Sequence, residues 1–134
     1  MQITGYFRCF SEPTRLRILN LLRHGPLCVC HIQEILGEPQ AKVSKQLSYL
    51  KQYELVASRR HYNWTIYSLP EPLPPCVEQI LALLEQEPDC ERVLLPDTQQ
   101  REALLERLSA AAEPGEPLQS LISCGLIGCE RDGI

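Results

Sequence analysis

The sequence lacks the long apolar runs that secretion or membrane insertion requires. Residues 1–6 are not a basic start leading into an apolar stretch, and the longest uncharged stretch near the C-terminus, Pro117–Cys129, is too short to span a bilayer. Apolar residues nevertheless make up 44% of the 134 residues, which is enough for a folded core. These features predict a cytoplasmic protein that does not enter a membrane.

Histidine is scarce, and its positions argue against an enzyme. All three histidines lie before residue 62, so they support no Ser-His-Asp arrangement. A phosphate-cradling cysteine loop needs an arginine six positions after its nucleophile, whereas Cys124 has Glu130 there and Arg131 one place too late. We therefore predict that the chain has no catalytic activity.

Cysteine, by contrast, is frequent. The chain has seven cysteines: Cys9, Cys28, Cys30, Cys76, Cys90, Cys124 and Cys129. Their odd number and the lack of an export signal argue against a disulfide framework, so metal binding, redox chemistry and packing remain as their roles. Cys9 is predicted to be a core residue. For Cys76 and Cys90, packing and metal ligation both stay open.

The net charge of −4 conceals two halves of opposite sign. Residues 1–70 carry nine Lys and Arg against four Asp and Glu, a net of +5, whereas residues 71–134 carry four against thirteen, a net of −9. Within residues 40–64 five basic residues face Glu54 alone. A locally basic segment on an acidic chain is typical of selective contact with a polyanion.

The first seventy residues predict three short helices and a β-hairpin. The helices are Thr14–Arg23, capped by Ser11, then Cys28–Leu36, stopped by Gly37 in a left-handed conformation, and then Gln40–Tyr53. Apolar residues recur at helical spacing, most clearly Val43, Leu47 and Leu50 in the third helix. Leu55–Ser68, rich in β-branched and aromatic residues, is predicted to form the hairpin. The order predicts a mostly α protein with a small β-hairpin, a winged helix-turn-helix with a C-terminal helical extension.

The second half of the chain is predicted to add two helices. A connector with four prolines, Pro70, Pro72, Pro74 and Pro75, leads to an amphipathic helix over Cys76–Glu87, whose apolar side is expected to pair with its copy in a homodimer. Asp97 is expected to start a helix over Asp97–Ala112. We therefore divide the chain into a DNA-binding and dimerisation domain, 1–87, and an extension with one helix and a cysteine-containing tail, 88–134.

The helix over residues 40–53 has the features of a DNA-reading element, with small polar residues outward and apolar residues inward. Gln40, Ser44 and Ser48 are predicted to reach base edges, and Lys42, Lys45 and Lys51 to contact phosphates. The hairpin is predicted to add backbone or minor-groove contacts from Arg59, Arg60 and His61. One such unit makes few contacts, so a dimer on a two-fold site of double-stranded operator DNA is expected.

Phe7–Leu69 resembles the arsenic-repressor (ArsR/SmtB) family of metal-sensing winged-helix regulators. The similar segments are SEPTRLRILNLL (11–22), PLCVCHIQEIL (26–36), QAKVSKQLSYLKQYELV (40–56) and RRHYNWTIYSL (59–69). The resemblance implies a homodimeric repressor that leaves its operator when metal binds. Tyr62 departs from the glycine that relatives often carry at the hairpin tip, which leaves the turn type open.

Cys28-Val29-Cys30 is similar to the metal-binding cysteine pair of that family, and the resemblance implies a sensing site there. On a regular helix, residues two apart point about 200° apart, so binding one ion is expected to unwind or shift the first helical turn. The third ligand stays open: the position where relatives carry another cysteine is Gln33, and Cys124 and Cys129 on the tail are the other candidates.

As(III) or Sb(III), which prefer sulfur, is the expected inducer, followed by cadmium or lead. Residues 76–112 contain no histidine, so the zinc site that relatives carry on the last helix is absent. The neighbouring His31 would suit zinc or copper better than arsenite. Two alternatives remain open: a repressor that senses cysteine oxidation, and an interaction module that no longer binds DNA.

Overall fold

Six helices and three short strands make up the part of the chain that the computed structural model describes, residues 2–61 and 64–111. In chain order they are α1 (Gln2–Phe10), α2 (Pro13–Leu22), β1 (Leu27–Cys28), α3 (Val29–Leu36), α4 (Gln40–Gln52), β2 (Ala57–His61), β3 (Trp64–Ser68), α5 (Pro75–Gln86) and α6 (Pro88–Ala111). The predicted class, mostly helical with a small hairpin, is confirmed. Among the helices within these ranges, none combines the length and the apolar character that crossing a bilayer demands.

The three strands form one antiparallel sheet in the order β1-β3-β2. The predicted hairpin is confirmed: β2 and β3 pair Ala57 with Ser68 at the open end and His61 with Trp64 at the other end. Strand β1 was not predicted, because two residues are too few to show an alternating pattern. It pairs Leu27 with Tyr67 and Cys28 with Ile66, and so attaches the start of α3 to the hairpin.

Helix α2 begins one residue earlier than predicted, and its cap is Glu12 rather than Ser11. The Glu12 carboxylate accepts a hydrogen bond of 2.9 Å from the Arg15 amide. Ser11 belongs instead to the end of α1, where its hydroxyl donates to the carbonyl of Arg8 at 2.8 Å. The sequence prediction was wrong here because α1 had not been predicted.

Gly37 ends α3 in the left-handed conformation that was predicted, with φ 65° and ψ 29°. A Cβ at this position would meet no atom within 4 Å, so a substitution would test backbone strain alone. We expect Gly37→Ala to lower the free energy of unfolding by about 1 kcal/mol in urea titrations. Gly37→Asn should lower it less, because asparagine tolerates this conformation. Equal stability of Gly37→Ala and wild type would contradict the assignment.

The apolar face of α5, which we expected to pair with a second copy, packs largely on the chain's own core. Val77, Leu81 and Leu84 are buried in the same hydrophobic cluster as α2 and α4. The sequence did not predict this burial. Helix α6, which packs on α5, was predicted to start at Asp97, nine residues after its observed start at Pro88. The exposed large apolar residues of the described ranges are Leu83 on another side of α5, Ile3 and Phe7 on α1, and Val93 and Leu95 on α6.

Helix α6 runs without interruption through Pro96, so the predicted helix start at Asp97 was wrong. Asp97 is 3% exposed in the middle of the helix and forms an ion pair with Arg17 of α2 instead of capping. Leu94, Leu104 and Leu108 join the common core, where α6 contacts α2 and α3. A proline inside a helix removes one backbone hydrogen bond, and tertiary contacts on both sides of Pro96 offset that loss.

Candidate functional site: a basic helix–hairpin surface and a buried sulfur site

The outward side of α4 carries the polar residues that were predicted to read DNA. Val43, Leu47 and Leu50 are buried, as predicted, and hold the helix against the core. Of the six predicted contact residues of this helix, four are exposed: Lys42, Lys45, Ser48 and Lys51. The other two, Gln40 and Ser44, are half-buried. The helix therefore presents lysines and small polar groups side by side, without apolar bulk.

The three lysines of α4 differ in their surroundings. Lys42 Nζ lies 3.4 Å from a carboxylate oxygen of Glu38, one turn earlier. Lys51 Nζ donates to the Ser58 hydroxyl at 2.6 Å and so connects α4 to β2. Lys45 forms no ion pair with the carboxylates that the structure describes.

The hairpin adds two exposed arginines to the same basic segment. Arg59 and Arg60 lie on β2, and Arg60 Nη1 donates to the Thr65 hydroxyl of β3 at 3.3 Å. His61, at the end of β2, is half-buried. Tyr62, whose departure from the family left the turn type open, lies outside the described residues.

Arg15 of α2 orients α4, a role that sequence analysis missed because both partners of this residue lie on another helix. Its Nη1 donates to Gln46 Oε1 at 2.9 Å, and its guanidinium carbon lies 4.1 Å from the centre of the Tyr49 ring. Both partners belong to α4. A cation stacked on an aromatic ring and bonded to the next turn restrains the rotation of the helix about its axis.

The Cys28 and Cys30 sulfur atoms lie 3.1 Å apart, although a regular helix would separate them. The helix begins at Val29, and Cys28 is its cap, with an extended backbone of φ −81° and ψ 160°. The predicted helix start at Cys28 was therefore wrong, and with it the argument that binding one ion must unwind the first turn. The strand–helix junction already brings the two sulfurs together.

His31 completes a cluster with the two cysteines. One ligand atom from each of Cys28, Cys30 and His31 lies within 4.8 Å of the others. His31 is 0% exposed, and neither ring nitrogen has a hydrogen-bond partner among the residues that the structure describes. Burial lowers the pKa of His31 to about 4, which keeps the ring neutral and able to ligate a cation.

Cys28 is 1% exposed, and burial raises the pKa of its thiol to about 11, although the backbone amides of His31 and Cys30 act in the opposite direction. At neutral pH the group is therefore a thiol that gives up its proton when it ligates an ion. Two sulfur ligands and a neutral imidazole suit soft and borderline metal ions. The sulfur pair fits the thiophilic inducer that the sequence predicted, whereas the imidazole suits a borderline divalent ion better than arsenite.

The other cysteines do not join this cluster within the described residues. Cys9 is fully buried, as predicted for a core residue, and burial raises the pKa of its thiol. Cys76 and Cys90 are half-buried and pack against the core. Cys124 and Cys129 lie outside the described residues.

Comparison with known proteins identifies a family. Residues 12–58 match the model of bacterial regulatory proteins of the arsR family. The HTH-type transcriptional regulator MJ1325 of Methanocaldococcus jannaschii is 36% identical over 81 residues, which are 60% of this chain and 88% of that protein. The arsenic resistance transcriptional regulator ArsR2 of Pseudomonas putida is 33% identical over 60% of this chain and 70% of its own length.

Solved structures agree with this identification. The AntR antimony-specific transcriptional repressor superposes with a TM-score of 0.53 and 32% identity, over 60% of this chain and 71% of that one. The homodimeric winged helix-turn-helix DNA-binding domain of Mb0332 from Mycobacterium bovis gives a TM-score of 0.56 and 27% identity, over 69% and 82%. Together with the observed fold, these matches show that the chain belongs to the ArsR family of bacterial regulatory proteins, which are winged-helix transcriptional regulators.

Proposed function

We propose that this repressor binds operator DNA as a homodimer and leaves it when a thiophilic metal or metalloid binds Cys28 and Cys30. The observation that carries the proposal is the 3.1 Å separation of the two sulfurs at the end of β1. As(III) and Sb(III) are the first candidates for the inducer, and cadmium or lead the next. Similarity to an arsenic resistance regulator and to an antimony-specific repressor supports this order.

The proposed DNA contacts lie on one basic surface. On α4, Gln40, Ser44 and Ser48 read base edges, and Lys42, Lys45 and Lys51 contact phosphates. Arg59, Arg60 and His61 of β2 contact the neighbouring backbone or minor groove. The hydrogen bond from Lys51 to Ser58 supports a fixed angle between the helix and the hairpin, so that both meet the DNA together.

The sulfur site touches both DNA-contacting elements through its neighbours. Cys28 belongs to β1, which pairs directly with β3 of the hairpin at Ile66. Cys30 belongs to α3, which packs on α4. An ion that ligates both sulfurs therefore acts on residues that contact the hairpin and α4, and it lowers DNA affinity if the ion-bound arrangement fits the operator less well.

Two arguments support the proposed homodimer: one winged helix makes few DNA contacts and needs a second half-site, and the similar DNA-binding domain of Mb0332 is homodimeric. In this chain the apolar face of α5 is used internally, so we assign the dimer contact to other surfaces. Ile3 and Phe7 of α1, which are exposed, are the best candidates. The tail cysteines Cys124 and Cys129 are proposed as further ligands.

Operator release tests the proposal. Fluorescence anisotropy of a labelled operator is followed while arsenite, antimonite, cadmium or zinc is added to wild type and to Cys28→Ser/Cys30→Ser. We expect the double variant to bind DNA like wild type and to lose the response to the ion. Cys90→Ser is the matched control and should respond normally. A normal response of the double variant would overturn the assignment, and Cys124→Ser/Cys129→Ser would then show whether the tail holds the sensor.

The alternative of sensing by oxidation is tested in the same assay. The proximity of the two sulfurs favours it, whereas the raised pKa of Cys28 disfavours it, because oxidants react with thiolates. Release of the operator by peroxide without any metal, reversed by a reductant, would identify a redox sensor.

A further inference from the structure

The imidazole of His31 is buried at a high energetic cost that no contact within the described residues explains. It is completely inaccessible, and both ring nitrogens lack hydrogen-bond partners there. Buried polar groups in proteins are almost always satisfied, and an unsatisfied one indicates a bound group or a functional role. The polar atoms that share its surroundings are the sulfurs of Cys28 and Cys30.

Local helix geometry explains why the ring faces these sulfurs. Cys28 is the cap of α3, and His31 is the third residue of that helix. In a capping box each of these two side chains reaches the backbone amide of the other residue, so both side chains lie at the same helix end. Cys30, between them, brings its sulfur to within 3.1 Å of that of Cys28. The arrangement therefore follows from where the helix begins.

We propose that Cys28, Cys30 and His31 form a mixed sulfur–nitrogen site for a divalent cation of the borderline class, such as Co(II), Zn(II) or Cd(II). The inference rests on the proposed function, because it assigns the third ligand of the same sensor, and it places divalent cations ahead of As(III) and Sb(III) in the order of inducers given there. Thiolate and imidazole are the ligands that these cations share, in sites of three or four ligands. No other group of three or more such residues lies close enough to hold an ion in the described ranges 2–61 and 64–111.

Charge balance favours a divalent cation at this site. In the reduced protein, two thiolates and a neutral imidazole bring a charge of −2, so a divalent ion gives a neutral complex. A neutral complex suits Cys28 and His31, which are both buried, because an unbalanced charge in such a place is costly. A trivalent metalloid on the same two sulfurs would keep one positive charge and would need another anionic ligand.

The site has a route for the ion and a contact to α6. Cys30 is half-buried, so an ion can enter from its side. The charged groups nearest the ring are Glu34 of α3 and Arg107 of α6, which pair with each other at 2.6 Å. This pairing leaves Glu34 occupied and the two sulfurs as the anionic ligands for the ion.

Titration of the full-length, reduced protein with Co(II) alone tests the inference. We expect one equivalent per chain to give visible ligand-field bands and a sulfur-to-cobalt charge-transfer band in the near ultraviolet. His31→Leu should bind Co(II) at least about tenfold more weakly, since even loss of a group that supports a ligand costs that much. The exposed His24 offers a matched control, and His24→Leu should bind like wild type.

Two further measurements distinguish weaker Co(II) binding caused by misfolding from weaker binding caused by loss of the His31 ligand. His31→Leu should unfold at the same urea concentration as wild type or a higher one, because leucine replaces an unsatisfied polar ring of similar volume. His31→Cys should keep binding Cd(II) and should respond to lower arsenite concentrations than wild type, because it supplies three sulfurs. Both variants should bind operator DNA normally.

The outcomes distinguish this inference from the proposed function. Unchanged Co(II) affinity in His31→Leu, or no Co(II) binding by wild type, would overturn the mixed site, whatever arsenite does to the operator. Co(II) binding that depends on His31, in a protein that no ion releases from DNA, would leave the site standing and overturn the sensor.

Discussion

Asp97→Ala should lower the free energy of unfolding by about 3 kcal/mol, because it leaves the Arg17 guanidinium without its main partner. Arg17 Nε and Nη2 donate to the two Asp97 carboxylate oxygens at 2.8 and 2.9 Å. These hydrogen bonds raise the pKa of Arg17 above its ordinary value. The Arg17 side chain is 25% exposed and retains Glu38 at 3.9 Å, so we expect the lower end of the range for buried pairs.

Urea titration at a fixed protein concentration measures this loss, since the stability of the proposed homodimer would depend on concentration. In thermal unfolding the same loss corresponds to a midpoint about 10 °C lower. Arg92→Ala, which breaks the exposed pair of Arg92 with Asp89, is the control and should leave stability unchanged.

A double replacement separates an unpaired charge from lost packing. Arg17→Met/Asp97→Leu removes both charges and should recover most of the stability that Asp97→Ala loses. If Asp97→Ala were as stable as wild type, the ion pair would not hold α6 to α2. If the double variant were the less stable one, packing rather than charge would explain the effect.

Arg59→Ala/Arg60→Ala should weaken operator binding strongly and reduce its dependence on salt. Both side chains are exposed on the hairpin, and each is proposed to neutralise a DNA phosphate. Loss of one phosphate contact lowers the slope of log affinity against log salt by about one, so the slope should fall by about two per protomer. Anisotropy titrations at several salt concentrations measure both quantities.

Arg92 of α6 again provides the matched control, because it is an exposed arginine away from α4 and the hairpin. Arg92→Ala should change neither the affinity nor the slope. An unchanged slope in the hairpin variant would show that the arginines do not contact the operator. Because these residues are exposed, we expect the variant to retain its stability, which circular dichroism checks.

Patterns that depend on near neighbours in the chain were predictable. The buried residues of α4, the hairpin and the left-handed Gly37 follow from helical periodicity, from β-branched residues around a turn and from the needs of a helix end. The basic character of residues 40–64 is likewise visible in the sequence, because charges on exposed faces are not hidden by packing.

Features that depend on distant contacts were not predictable. Asp97 has the identity of a helix cap, but it pairs with Arg17, eighty positions away. One face of α5 is apolar whether α6 or a second copy packs on it. Only the position of α6 shows that this face is buried within the chain. Periodicity alone does not tell an intramolecular partner from a second copy.

The sequence by itself determined the winged-helix class, the helix proposed to meet DNA and the residues of the cysteine pair, because these depend on local spacing and composition. The tertiary structure alone decided how the cysteines meet and what lies beside them. A two-residue strand paired with the hairpin moves the start of α3 to Val29, which makes Cys28 a cap and brings its sulfur to that of Cys30. The start of α3 at Val29 also places His31 beside both sulfurs, where it is buried. The position and burial of a helix depend on the whole fold and not on adjacent residues alone.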